Sequence, residues 1–95
     1  MIDIKRTGTE DTLKFQVTVR DATSESRHEV TISHADYERL TAGRHTPENC
    51  IDAVFRFLLE REPKEAILRR FDINVISHYF PEFDRALPRY LAGSE

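Results

Sequence analysis

The stretch Thr46–Glu62, TPENCIDAVFRFLLERE, decides the architecture of this chain. Thr46 offers a hydroxyl cap, Pro47 stands where a missing N–H costs nothing, and Glu48 places an acid in the first turn, so a helix is expected from Pro47 to about Glu62. At helical spacing Cys50, Ile51, Ala53, Val54, Phe57 and Leu58 form one apolar arc, which Phe55 and Leu59 widen past half the circumference. Only Asp52, Arg56 and Glu60 make a polar stripe, at the i, i+4 spacing of a self-supporting charge ladder. Such a helix needs cover on two sides, from a sheet and from either the C-terminal helices or a second copy of the chain.

The sheet is written ahead of it. Leu13, Phe15, Val17 and Val19 alternate with Lys14, Gln16, Thr18 and Arg20, which predicts a strand over 12–20 with one wet face. The polar run Asp21 to Ser26 suits a turn, and His28, Val30 and Ile32 then alternate through a strand at 27–33. Ile2 and Ile4 mark a shorter strand at 2–6, ahead of a turn-like Arg6 to Asp11 containing Gly8. The expectation is an α+β fold with a three-stranded antiparallel meander.

Between sheet and helix, Ser33 is placed to cap the N–H of Asp36 and open a short helix through about Thr41, with Tyr37 and Leu40 inward and Gly43 as its stop. Beyond Glu62, Pro63 ends the central helix. Residues 63–71 place Ile67 and Phe71 one turn apart, with Leu68 beside them, and are expected to be helical. Asp72 then caps a segment carrying Ile73, Ile76, Tyr79 and Phe80 at helical spacing, although its β-branched residues also suit a short strand. Phe83, Leu87, Tyr90 and Leu91 mark a last helix bent at Pro88, with fraying from Gly93 to Glu95. Two or three short C-terminal helices are thus expected in a single domain spanning 1–95.

The chain has 95 residues with 14 Lys and Arg against 17 Asp and Glu, a formal charge of −3, so any nucleic-acid or lipid binding would need a local patch. The one cysteine, Cys50, makes neither an internal disulfide nor, alone, a zinc site, and its place on the apolar arc reads as a small buried hydrophobe. The N-terminus lacks the apolar region of a signal peptide, and no run approaches the roughly 20 apolar residues of a membrane span, so a cytoplasmic protein is expected. His28, His34, His45 and His78 show no paired metal-ligand spacing, and no phosphate loop, nucleophile elbow or paired-carboxylate motif is present; no cofactor, metal or catalytic role is expected.

Of the nine aromatics, five lie between Phe71 and Tyr90. They either close the open side of the central helix or form a docking surface, and Tyr79 and Tyr90 are the candidates for a boundary because each hydroxyl wants water or a partner. The functional expectation is a small non-enzymatic protein-interaction or regulatory module, binding a protein partner or itself as a homodimer through the surplus arc. Its candidate interface residues are Phe55, Leu59, Tyr79, Phe83 and Tyr90.

Two resemblances add to this reading. The order of strand Arg27–Ser33, short helix, turn and helix Pro47–Glu62 resembles the ribbon-helix-helix family of dimeric DNA-binding proteins. That resemblance, confined to residues 27–62, implies base contacts from Arg27, Glu29 and Thr31 and a phosphate at Thr46 to Glu48. The chain departs from the family in its short first helix, in the local partner its strand has at 12–20, and in its acidity. The run FRFLLEREPKEAIL at 55–68, with Phe71-Asp72 and ISHYFPEF at 76–83, is similar to a group of small uncharacterised bacterial proteins, which implies a stand-alone bacterial protein and no particular activity.

Overall fold

The computed structural model of the chain describes residues 1–8 and 11–93. The expected turn from Arg6 to Asp11 lies partly outside them, as do Ser94 and Glu95. The fold is α+β, and its sheet has four strands, not three: β1 (Ile2–Gly8), β2 (Thr12–Arg20), β3 (Glu25–Ser33) and β4 (Arg70–Asp72), in the order β1-β2-β3-β4. The first three form the expected antiparallel meander, and β4 adds to it in parallel, with Val30 opposite Phe71. The helices are α1 (His34–Thr41), α2 (Pro47–Leu59), α3 (Ile76–Tyr79) and α4 (Phe83–Ala92), with single 3-10 turns at Lys64–Ala66 and Ile73–Val75.

Local chemistry sets the boundaries. Asp21 Oδ1 accepts from the Thr23 and Ser24 amides at 2.9 and 3.0 Å, an Asx turn that closes the hairpin in four residues and releases Glu25 and Ser26 into β3. β1 runs past the expected Arg6 to Gly8, with a register shift between Arg6 and Gly8. The Ser33 and Thr46 hydroxyls accept from the Asp36 and Asn49 amides at 3.0 and 3.1 Å, the two expected caps. α1 ends on Ala42 in the left-handed region, one residue before Gly43, which is also left-handed. α2 ends at Leu59 and not at Glu62: the Arg61 amide tightens onto the Leu58 carbonyl at 2.9 Å, three residues back, and Pro63 has no N–H with which to continue the helix.

The largest departure lies at 63–71, where the expected helix is a 3-10 turn followed by extended chain and β4. Three long-range bonds fix it there. The Lys64 ammonium reaches Asp21 at 2.7 Å, His28 Nδ1 donates to the Leu68 carbonyl at 2.7 Å, and the Thr31 hydroxyl donates to Asp72 at 2.6 Å. The Glu29 amide adds a backbone bond to the Arg69 carbonyl at 2.7 Å. Downstream, Asp72 caps Asn74 as expected, but over a 3-10 turn that leads into the four-residue α3. Pro88 sits inside α4 on its exposed side, where the Asp84 carbonyl that loses its helical donor can take water.

One core joins the sheet to the helices. Leu13, Phe15, Val17 and Val19 of β2 and Val30 and Ile32 of β3 face Cys50, Ile51, Ala53, Val54 and Phe55 of α2, all buried. The other side of α2 is covered by α4 through Phe83, Ala86, Leu87 and Leu91. Most of the apolar surplus of α2 is therefore consumed within the chain, with Leu59 left half-buried at its edge. Phe57 is the hub of this second layer, with Phe80, Phe83 and Tyr90 edge-on at 5.8, 5.1 and 5.7 Å and the Arg61 guanidinium 3.7 Å above its ring. Arg6 clamps β1 to the start of α2 by a bidentate pair with Glu48 at 2.7 and 2.6 Å, which holds the Glu48 carboxyl below its usual range.

Candidate functional site

Among the described residues three large hydrophobic side chains are exposed, Met1, Leu68 at 50% and Tyr79 at 67%. Leu68 and Tyr79 line one groove of about 310 Å³, beside β4, where the end of α2 meets the 64–72 segment and α3. Its walls include buried Leu58, Ile67, Phe71 and Ile76, and its one charged lining residue is Glu62. Glu62 is half-buried and has no ion pair or hydrogen bond to another side chain among the described residues. The groove thus presents an apolar surface with a single uncompensated carboxylate.

Its position depends on a buried imidazole. His28 is 2% exposed, lies tilted against Phe55 with ring centroids 5.4 Å apart, and uses both ring nitrogens. Its Nδ1–H holds the Leu68 carbonyl, which leaves Nε2 to accept from the Ser26 hydroxyl at 2.8 Å. By fixing the Leu68 backbone this bond keeps the leucine side chain out at the groove. Lys64, only 7% exposed, anchors the same segment between Asp21 and Glu65 at 2.7 and 2.6 Å. The ammonium holds the Asp21 carboxyl well below the usual carboxylate range, helped by the Thr23 and Ser24 bonds, and lowers Glu65; Asp21 in turn raises Lys64.

The five candidate interface residues scatter in depth. Phe55 and Phe83 are fully enclosed, one against His28 and Phe71 and the other against Phe57, so neither presents a surface. Burial follows from α2 being covered on both sides. Leu59 is half-buried against the core. Tyr90 is half-buried with its hydroxyl occupied, donating to Glu60 at 2.9 Å and accepting from Arg61 at 3.2 Å. Tyr79 alone is exposed, and its neighbour in the groove, Leu68, is not among those five. Nothing local marks Leu68, because its outward setting depends on a bond to a residue 40 positions away.

The residues that a DNA-reading strand would use are already paired. Arg27, Glu29 and Thr31 share the solvent face of β3, where Arg27 meets Glu25 at 3.2 Å, Glu29 meets Arg70 at 3.1 Å, and Thr31 meets Asp72. β2 occupies one edge of β3 along its whole length, and β4 covers the other at Glu29–Thr31. The Thr46 hydroxyl is spent on Asn49.

Cys50 is fully buried, and desolvation pushes its thiol up to about 12, so it is not a ready nucleophile. Among the described residues no group of three or more His, Cys, Asp or Glu is placed to hold a metal ion, and no helix is long and apolar enough to cross a membrane. Comparisons with protein-family models, curated proteins and solved structures find no match to this chain.

Proposed function

We propose that the chain is a small non-enzymatic protein-interaction module whose groove between α2, β4 and α3 receives an apolar segment of a partner carrying a basic residue. The observation that carries this reading is the placement of both Leu68 and Tyr79, exposed and large, on the same concave surface. Glu62 supplies the charge preference, since an unpaired carboxylate beside apolar walls favours a cation and disfavours an anion in the same place. A reducing compartment such as the cytoplasm suits the buried thiol of Cys50. The ion pairs along the solvent face of β3 lend no support to the alternative of DNA binding.

The test is an NMR titration of the isotope-labelled chain with a short amphipathic peptide of leucines and lysines, against a counterpart with glutamates in place of the lysines. The leucine–lysine peptide is expected to shift the amides of residues 66–80, the glutamate peptide to do so far less, and Glu62→Gln to narrow the difference. Shifts confined to other parts of the surface, or none at millimolar peptide, would overturn the proposal.

A further inference from the structure

β1 forms one edge of the sheet, and its backbone phase shows which groups are unspent. Met1 and Arg20 exchange both main-chain bonds at 2.8 Å. Bonded and non-bonded pairs alternate along an antiparallel ladder, so Asp3 and Lys5 bond to Thr18 and Gln16, while Ile2, Ile4 and Arg6 turn their N–H and C=O groups to the free edge. Ile2 and Ile4 are half-buried side chains packed on the core, and Asp3 and Lys5 stand on the opposite, solvent face. One Asp3 oxygen meets Arg20 at 3.1 Å; Lys5 has no ion pair among the described residues.

We propose that this edge is completed by β1 of a second copy of the chain, antiparallel about a two-fold axis at Ile4. In that register Ile4 faces Ile4 of the second copy and Ile2 faces Arg6, all of them positions with free backbone groups, so each pair exchanges both main-chain bonds. Asp3 faces Lys5, and Lys5 faces Asp3, in the closely spaced non-bonded positions on the solvent face. The charges select the register. Sliding by two residues one way sets Asp3 against Asp3, and the other way sets Lys5 against Lys5. Sliding by one puts the bonding groups of one strand against the spent groups of the other. The four-stranded sheet becomes an eight-stranded one, and the grooves beside β4 lie at its two far ends, open for bivalent capture. The pairing draws on β1 alone and does not depend on what the groove binds.

The test is sedimentation equilibrium on the tag-free chain from micromolar to millimolar concentration, with two surface variants. Wild type is expected to show a reversible monomer–dimer equilibrium. Lys5→Asp sets carboxylate against carboxylate at both cross-strand charge pairs, and Asp3→Lys sets ammonium against ammonium, so each is expected to weaken self-association by about tenfold or more. Mixed together, the two variants are expected to form a heterodimer tighter than either homodimer, a result no loss of folding can mimic. A wild-type chain that stays monomeric at millimolar concentration, or a dimer whose strength ignores both variants and gains nothing on mixing, would overturn the proposal.

Discussion

His28→Leu tests how the groove wall is held. The imidazole is 2% exposed, and its Nδ1–H is the donor that the Leu68 carbonyl uses at 2.7 Å. Leucine fills a similar space against Phe55, so little cavity is created, but the Leu68 carbonyl is left without its donor. Such a loss costs about 1–3 kcal/mol for a group shielded from water. The Ser26 hydroxyl is half-buried and can turn to solvent, so it adds little. Because the orphaned group sits on the 63–72 segment, the cost falls on the pairing of β4 with β3 and not evenly on the fold. The reporter is the Glu29 amide, which donates to the Arg69 carbonyl at 2.7 Å. A local cost of about 2 kcal/mol corresponds to about a thirtyfold faster exchange of that amide under conditions where exchange follows the opening equilibrium. Amides in the middle of α2, such as Phe57, are expected to change far less, since leucine returns hydrophobic free energy to the core. His28→Asn, which keeps an N–H donor at the same place, is expected to recover part of the protection. Unchanged exchange at Glu29, or a loss no larger than that in α2, would refute this role for the imidazole.

Three further outcomes follow from the same geometry. Phe57→Ala empties the hub between α2 and α4 and is expected to lower unfolding free energy by about 3–5 kcal/mol in urea titrations, with a loss below about 1 kcal/mol contradicting the two-sided burial of α2. Cys50, with its thiol at about 12, is expected to resist a disulfide reagent in native buffer and to react at the rate of unfolding; prompt labelling would place it at the surface. Asp21, Glu48, Glu65 and Glu82 all have lowered folded-state pKa values, so the stability they add is complete above their unfolded values near 4 and is lost as the pH falls below them. Lys64 is raised, so its contribution holds below about 10.4 and is lost at more alkaline pH. Asp21→Asn is expected to flatten the thermal-melt profile at both ends, and an unchanged profile would remove the Lys64 anchor.

The parts of this fold legible in the sequence are those whose partners lie close along the chain. Alternation at Leu13–Val19 and His28–Ile32, and the caps at Ser33 and Thr46-Pro47, need only neighbours to be interpreted, and the structure places them as expected. Residues 63–72 need partners about 40 positions away: Asp21 for Lys64, His28 for Leu68, Thr31 for Asp72. The spacing of Ile67 and Phe71 compounds the difficulty, because four residues is one helical turn and also two strand repeats, and both side chains are buried either way. The wide apolar arc of α2 is legible, but whether a second copy or α4 covers it depends on the docking of Phe83, Leu87 and Leu91. The groove inherits the same limit. Tyr79 can be singled out by its chemistry, whereas Leu68 becomes a surface feature only when His28 holds its backbone.

The most direct test of the central claim is a paired measurement on Tyr79→Ser: unfolding free energy and affinity for the leucine–lysine peptide. A side chain that is 67% exposed and lines a binding groove should leave stability within about 0.5 kcal/mol while affinity falls by about tenfold or more. A loss of several kcal/mol in stability with unchanged affinity would contradict the account and return Tyr79 to the core.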